Sequence, residues 1–169
     1  MAFLRSVARG LGAGAIGTLA MDTLWYVRYR WGGGKTNFLA WEFASGAKSW
    51  GEAPAPARLA KLEYEALTER PLALNRETLA DDVAHWAYAL MWGCVFGAAV
   101  GSSRRTNLWQ GPMLGVLCFL TGYVTLPIAG IYKPIWSYDV KTLWQDLSAH
   151  LVYGTTVAVA FRWLGANKA

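Results

Sequence analysis

The chain has 169 residues, enough for one domain. Hydrophobic residues make up 54% and charged residues 16%, which is more apolar than a soluble domain, and the 10 tryptophans are typical of the two interfaces of a bilayer. The net charge of +5 does not indicate nucleic acid, because the basic residues flank apolar runs instead of forming a patch with stacking aromatics, so the lipid bilayer is the simpler partner.

Four apolar runs predict four transmembrane helices, at about residues 8–29, 80–101, 108–131 and 142–164. Each run approaches the roughly 20 residues that cross a hydrocarbon layer of about 30 Å. The first run could instead be a signal peptide, but its apolar part is long and no small-residue cleavage site follows it. We therefore expect a single integral membrane domain, all-α, built as a four-transmembrane-helix bundle.

The connection at residues 32–79 is too long for a simple turn. Within it, residues 57–70 place Leu59, Leu62 and Leu67 at helical spacing, with charged residues on much of the remaining face. This pattern predicts a short amphipathic helix that lies on the bilayer surface or caps the bundle. It would serve for packing or as a lid that binds a partner.

Two local signals bear on the ends of the predicted helices. Thr78 and Asp81 have the spacing of a capping box, which predicts that they begin the second transmembrane helix. Pro127 and Gly130 predict a kink or an early unwinding near the end of the third.

The distribution of basic residues predicts the orientation. Both termini and the 102–108 loop fall on one side, and the short segments on that side carry basic residues and no acid: Arg5, Arg9, Arg104, Arg105, Arg162 and Lys168. Short basic segments stay in the cytoplasm. We therefore expect cytoplasmic N- and C-termini.

Glycines recur every four positions in three of the predicted helices. The stripes are Gly10 and Gly14 in the first helix, Gly93, Gly97 and Gly101 in the second, and Gly111 and Gly115 in the third. In lipid, small residues allow the close backbone approach on which helix packing depends. The stripes predict either a tight bundle or, if one stripe points outward, the face of a homo-oligomer or larger complex; Gly93, Gly97 and Gly101 are the candidates.

Four ionisable residues lie inside the predicted helices: Asp22, His85, Asp146 and His150. Ionisable groups are costly in a membrane, so they favour a functional hypothesis. By depth, all four could converge at the end of the bundle opposite the termini, and the spacing of Asp146 and His150 puts them on one helix face. The sequence shows no recognisable pair of nucleophile and base, which argues against an enzyme without excluding one.

Three interpretations of this polar cluster stay open. In the structural one, the two aspartates accept hydrogen bonds that lock the helices together, from donors such as His85, His150, Tyr88, Thr18 and Gln145. In the second, the cluster moves a proton or cation, since histidine titrates near neutral pH; a protein without such a path would instead support a larger membrane assembly. In the third, His85, His150 and Asp146 bind a metal, or the two histidines bind haem.

The second half of the chain carries a set of short motifs: His85, the 108–111 segment (Leu-Trp-Gln-Gly), Pro127, Gly130, Pro134, and the segment from Asp146 through His150 to Val152. With these motifs, residues 83–164 resemble the YagU-like family of bacterial inner-membrane proteins. The resemblance implies a polytopic protein of the bacterial inner (cytoplasmic) membrane without an established activity. It also implies that Asp146 and His150 act as a pair, although Asp146 stands where a glutamate is expected.

Overall fold

The computed structural model describes residues 1–44, 46–101 and 107–166, and within them the chain is helical, with no strand. The six α-helices are α1 (Ala2–Trp31), α2 (Phe38–Glu42), α3 (Ala55–Thr68), α4 (Glu77–Val100), α5 (Gln110–Ile128) and α6 (Val140–Ala166). The predicted all-α class is confirmed. The four predicted transmembrane segments fall on α1, α4, α5 and α6, the four longest helices.

Two of these helices are long and apolar enough to cross a membrane: α4 with the turn before it (Leu74–Val100) and α5 (Gln110–Ile128). Their mean hydropathies over an 18-residue window are 1.4 and 1.6. The longer helices α1 and α6 are not among the candidate spans of the described chain. The presence of these two helices indicates that the protein associates with a membrane.

The long helices lie in the spatial order α4, α1, α6, α5, because α1 packs against both α4 and α6 and α5 packs against α6. Hydrogen bonds from side chains show which ends of these helices lie together. Ser6 Oγ donates to the carbonyl of Gly101 at 3.3 Å, and Arg9 donates to the carbonyl of Phe161 at 2.7 Å. At the opposite end, Arg28 donates to the carbonyl of Gln145 at 2.9 Å. We call these the terminal end and the loop end.

The glycine stripe of α4 packs on α1 within the same chain. A Cβ atom on Gly93 would lie 2.5 Å from the carbonyl oxygen of Gly10, and one on Gly14 would lie 3.2 Å from the Cα of Gly93. A Cβ on Gly97 would likewise meet the backbone of Ser6. These contacts correspond to the first role predicted for the glycine stripes, close packing within a tight bundle. Gly93 and Gly97 are covered by α1.

A second glycine contact joins α5 to α6. A Cβ on Gly111 would lie 2.8 Å from the carbonyl oxygen of Gly154, and one on Gly115 would lie 2.8 Å from the carbonyl carbon of His150. Gly154, which belongs to no stripe, was missed from sequence because a lone glycine gives no repeat. The chain thus contains two close helix pairs, α1–α4 and α5–α6, each built on backbone contact.

The terminal half of the bundle is filled by large side chains. Phe96 of α4 and Phe161 of α6 pack edge to face with ring centroids 5.5 Å apart, and Val157 and Phe161 are almost fully buried. Leu114 and Cys118 of α5 belong to the same core. This packing closes the centre of the bundle toward the terminal end.

The predicted amphipathic helix is present as α3, and it caps the loop end by packing against α4. Ala57 is fully buried in a cluster with Ala53 and Ala80. Arg58 reaches from α3 to the turn after α5, where its guanidinium donates to the carbonyl of Ile131 at 3.0 Å. α3 is therefore attached to two of the long helices.

The predicted capping box at residues 78–81 is wrong. Helix α4 begins at Glu77 without a side-chain cap, and the Thr78 hydroxyl donates to the Glu77 carboxylate at 3.3 Å. Asp81 instead accepts the backbone N–H of Ala57 at 3.2 Å, in the first turn of α3. A helix N-terminus attracts a carboxylate whatever its place in the chain, so Asp81 stabilises α3 instead of its own helix.

Helix α5 ends earlier than its apolar run. Pro127 lies in its last turn, and Gly130 takes a φ of +69° just beyond the end at Ile128. The N–H of Ile131 then donates to the carbonyl of Leu126 at 2.9 Å, which closes the helix. The expected unwinding after Pro127 is confirmed, in the form of a helix end.

Candidate functional site

The close approach of α1 and α4 brings Asp22 and His85 together near the loop end. Asp22 is only 5% exposed, and its Oδ1 lies 3.0 Å from His85 Nε2. Since a carboxylate oxygen accepts, His85 donates through Nε2. The other oxygen of Asp22, Oδ2, is buried and has no hydrogen-bond partner within the described chain.

Asp146 and His150 do not pair through their side chains, contrary to the pairing that the family resemblance implied. Asp146 Oδ2 accepts a hydrogen bond of 2.6 Å from the hydroxyl of Tyr123 on α5. His150 Nδ1 lies 2.8 Å from the backbone carbonyl of Asp146. Because a carbonyl can only accept, Nδ1 carries the proton, and Nε2 is the acceptor of a neutral His150.

Tyr123 was missed from sequence, along with the group of rings around it. Its ring centroid lies 5.3 Å from that of Tyr132 and 5.4 Å from that of Tyr138, and 4.7 Å from that of Phe119 one turn earlier in α5. Three tyrosines within sixteen residues near the end of the third apolar run were the available signal. They surround Asp146 with aromatic surface.

A cavity of about 250 Å³ lies at the loop end and is lined by residues of α1, α3, α4, α5 and α6 and of the turn after α5. His85, Asp146 and His150 all line it, so the predicted convergence is found for three of the four residues. Asp22 does not line this cavity and joins the group through its hydrogen bond to His85. Helix α3 contributes Pro56 and Leu59 to the lining, which makes α3 the cover of the cavity.

A smaller cavity of about 40 Å³ continues from the first toward the middle of the bundle. His85, Tyr88 and His150 line both, and the smaller one ends at Trp92 and Tyr153. Beyond it lies the close-packed core around Phe96 and Phe161. The two cavities together reach from the loop end to the middle of the bundle.

Acidic residues dominate the charge around His85. Glu42, at the end of α2, is half-buried, and this burial raises its pKa to about 7, with a further contribution from the negative charge of Asp22. Burial also raises the pKa of Tyr132, to about 12, assisted by the charge of Asp146. The loop end therefore favours protonated or cationic species over anions.

The metal-binding interpretation is not supported by the described part of the chain, where no group of three or more His, Cys, Asp or Glu side chains comes close enough to hold a metal ion. For haem ligation, Nε2 of His85 is already engaged by Asp22, whereas the hydrogen bond from Nδ1 of His150 to the Asp146 carbonyl leaves Nε2 of His150 available. The chemistry available is that of two histidines and one accessible carboxylate in an aromatic cavity.

No family model, curated protein or solved structure matches this chain. The resemblance to the YagU-like family stays a prediction that depends on the motifs quoted for it.

Proposed function

We propose that the chain is an integral membrane protein with four spans, α1, α4, α5 and α6. All four helices carry large exposed apolar side chains, including Leu19, Val95, Leu120 and Val159, which are 45–51% exposed. Helix α1 packs along α4, and α6 packs along α1 and α5, so a membrane that contains α4 and α5 contains the other two at the same depth. Exposed apolar belts are rare in soluble monomers.

The proposed orientation places the terminal end in the cytoplasm of a bacterium, with the protein in the inner membrane. Arg5, Arg9 and Arg162 lie at the terminal end, while α2 and α3 lie at the loop end with acids and bases mixed. A reporter fused at Ala169 should report the cytoplasm, and one inserted at Gly51 should report the opposite side. The same location for both would contradict the four-span topology.

We further propose that the protein takes up a proton or a cation at the loop end and moves it across the membrane. The observation that carries this proposal is the cavity lined by His85, Asp146 and His150. Three titratable side chains in one cavity of a membrane bundle are expensive to maintain, and purely structural hydrogen bonds would not require a cavity. This favours uptake over the alternative that the protein is an accessory subunit of a larger complex.

The hydrogen bonds suggest how a proton would be held. His150 presents Nε2 as a free acceptor, and Asp146 offers Oδ1, which accepts no hydrogen bond from the described residues. His85, anchored to Asp22, is the third group along the cavity. A proton at His85 would be stabilised by the Asp22 carboxylate, which accepts the hydrogen bond from its ring.

Release on the other side requires a second conformation, because the terminal half is closed by Phe96 and Phe161. Helices α4 and α5 share far fewer contacts than the glycine-packed pairs, and the hydroxyl of Tyr88 joins them by donating to the carbonyl of Cys118 at 3.2 Å. A change of access would therefore separate α4 from α5 and leave the pairs α1–α4 and α5–α6 intact.

Proton flux into proteoliposomes, driven by a potassium diffusion potential, tests the proposal. We expect flux above that of empty liposomes, and we expect Asp146→Asn to abolish it. Asp139→Asn is the matched control, because Asp139 is an exposed acid that caps α6 by accepting the N–H of Thr142 at 2.9 Å. Wild-type flux no greater than that of empty liposomes would refute proton movement.

A further inference from the structure

The cavity at the loop end has the lining of a site for an organic cation. Five aromatic side chains line it: Trp25, Tyr88, Phe119, Tyr123 and Tyr132. Among the described residues that line it, Asp146 is the only carboxylate, and none is a lysine or an arginine. Aromatic ring faces are negative at their centre and attract quaternary and other organic ammonium groups, and a carboxylate adds a full negative charge.

The same lining disfavours the other candidate ligands. A hard metal ion needs several oxygen ligands, and the cavity supplies one carboxylate without a group of three metal-binding side chains in the described chain. An anion would meet Asp146 with no lysine or arginine to offset it. An uncharged apolar ligand would leave the carboxylate without a charge partner inside a largely apolar site.

Two local observations support binding of a cation in this cavity. The Arg28 guanidinium already lies over the Trp25 ring, 4.8 Å from its centroid, at the edge of the cavity. The hydroxyl of Tyr123 occupies Asp146 Oδ2, which fixes the carboxylate and leaves Oδ1 for a ligand. A cavity of about 250 Å³ is at the small end for ligand sites, which limits the ligand to a compact molecule.

We propose that the loop-end cavity binds a small organic ammonium ion, held by the carboxylate of Asp146 and by the ring faces of Tyr123 and Tyr132. This proposal rests on the proposed uptake function and names its substrate class. Helix α3, attached through Arg58 to Ile131, covers the bound ion. The ammonium ion would take the place of a proton in the cavity. The same cavity would therefore serve both the proposed uptake and the binding of the organic cation.

Isothermal titration calorimetry of the detergent-purified full chain with benzyltrimethylammonium tests the binding. We expect saturable binding, weakened about tenfold or more by Asp146→Asn and about three- to thirtyfold by Tyr132→Leu, which removes one ring face. Asp146→Glu keeps the charge and should keep most of the affinity, which guards against a variant that simply misfolds. Asp139→Asn should bind like the wild type.

Benzyl alcohol, an uncharged ligand with the same ring, separates charge recognition from apolar filling. Binding of benzyl alcohol as tight as that of the ammonium ion, or equal ammonium binding by Asp146→Asn and wild type, would overturn the proposal, and so would absence of ammonium binding. Proton flux without ammonium binding would overturn this inference while keeping the proposed function. Ammonium binding without any proton flux would support this inference and refute proton movement.

Discussion

Replacement of Gly93 by alanine should separate the α1–α4 pair. The added Cβ would lie 2.5 Å from the carbonyl oxygen of Gly10 and 2.8 Å from the Cα of Gly14, closer than real Cβ atoms come to backbone. Both obstacles are backbone atoms, so no side chain can rotate away, and the helices must move apart. Overpacking of this kind costs about 1–3 kcal/mol.

Alanine also favours a helix over glycine by about 1 kcal/mol, which offsets part of that cost. We therefore expect Gly93→Ala to lower the free energy of unfolding by about 0–2 kcal/mol. A larger side chain, as in Gly93→Val, should cost more. The distance between Asp22 and His85 should also change, because the same two helices carry them.

The assay is unfolding by sodium dodecyl sulfate in mixed micelles, followed by far-ultraviolet circular dichroism. Gly122→Ala is the matched control, since Gly122 lies within α5 and a Cβ there would meet nothing within 4 Å. The control should match the wild type or exceed it by up to about 1 kcal/mol. Equal unfolding free energies for Gly93→Ala and Gly122→Ala would refute close α1–α4 packing.

Three further predictions concern the loop end of the bundle. The wild type should lose stability between about pH 4.5 and pH 7, because the folded protein holds the Glu42 proton more tightly than the unfolded chain does. Glu42→Gln should remove this loss, so that above pH 7 its free energy of unfolding exceeds that of the wild type by about 1 kcal/mol after solvent screening. Unfolding at pH 5 and at pH 8 measures the difference. Asp81→Ala should cost about 1 kcal/mol through loss of the acceptor for Ala57 N–H, whereas Asp81→Asn should retain most of the stability in the same assay. Arg58→Ala should speed amide hydrogen exchange across residues 55–68, since its bond to Ile131 attaches α3 to the turn after α5, and unchanged exchange would contradict that role.

The helices and their glycine packing were predictable because both follow from short-range sequence patterns. An apolar run indicates a helix by length alone, and Gly93 with Gly97 indicates close approach by a four-residue repeat. The meeting of Asp22 with His85 was also within reach, because the topology puts both at similar depth on antiparallel helices.

The partners of individual polar atoms were not predictable in the same way. Asp146 and His150 share a helix face, yet each side chain finds a nearer partner, one on α5 and the other on the backbone. Tyr123 is 23 residues from Asp146, and no pattern in the sequence relates them. Asp81 likewise serves α3 because of where that helix docks, which only the tertiary structure decides.

The contact between α1 and α6 has a consequence for the way the protein is made. Arg9 finds its described partners on α6 alone, where the carbonyl of Phe161 accepts its hydrogen bond and the Phe161 ring lies 4.1 Å from its guanidinium carbon. Because α1 precedes α6 in the chain, Arg9 has no such partner until α6 has been synthesised. The glycine contacts hold α1 to α4 and α5 to α6 as two separate pairs. A chain in which these pairs have not docked therefore differs from the folded one in the surroundings of Arg9.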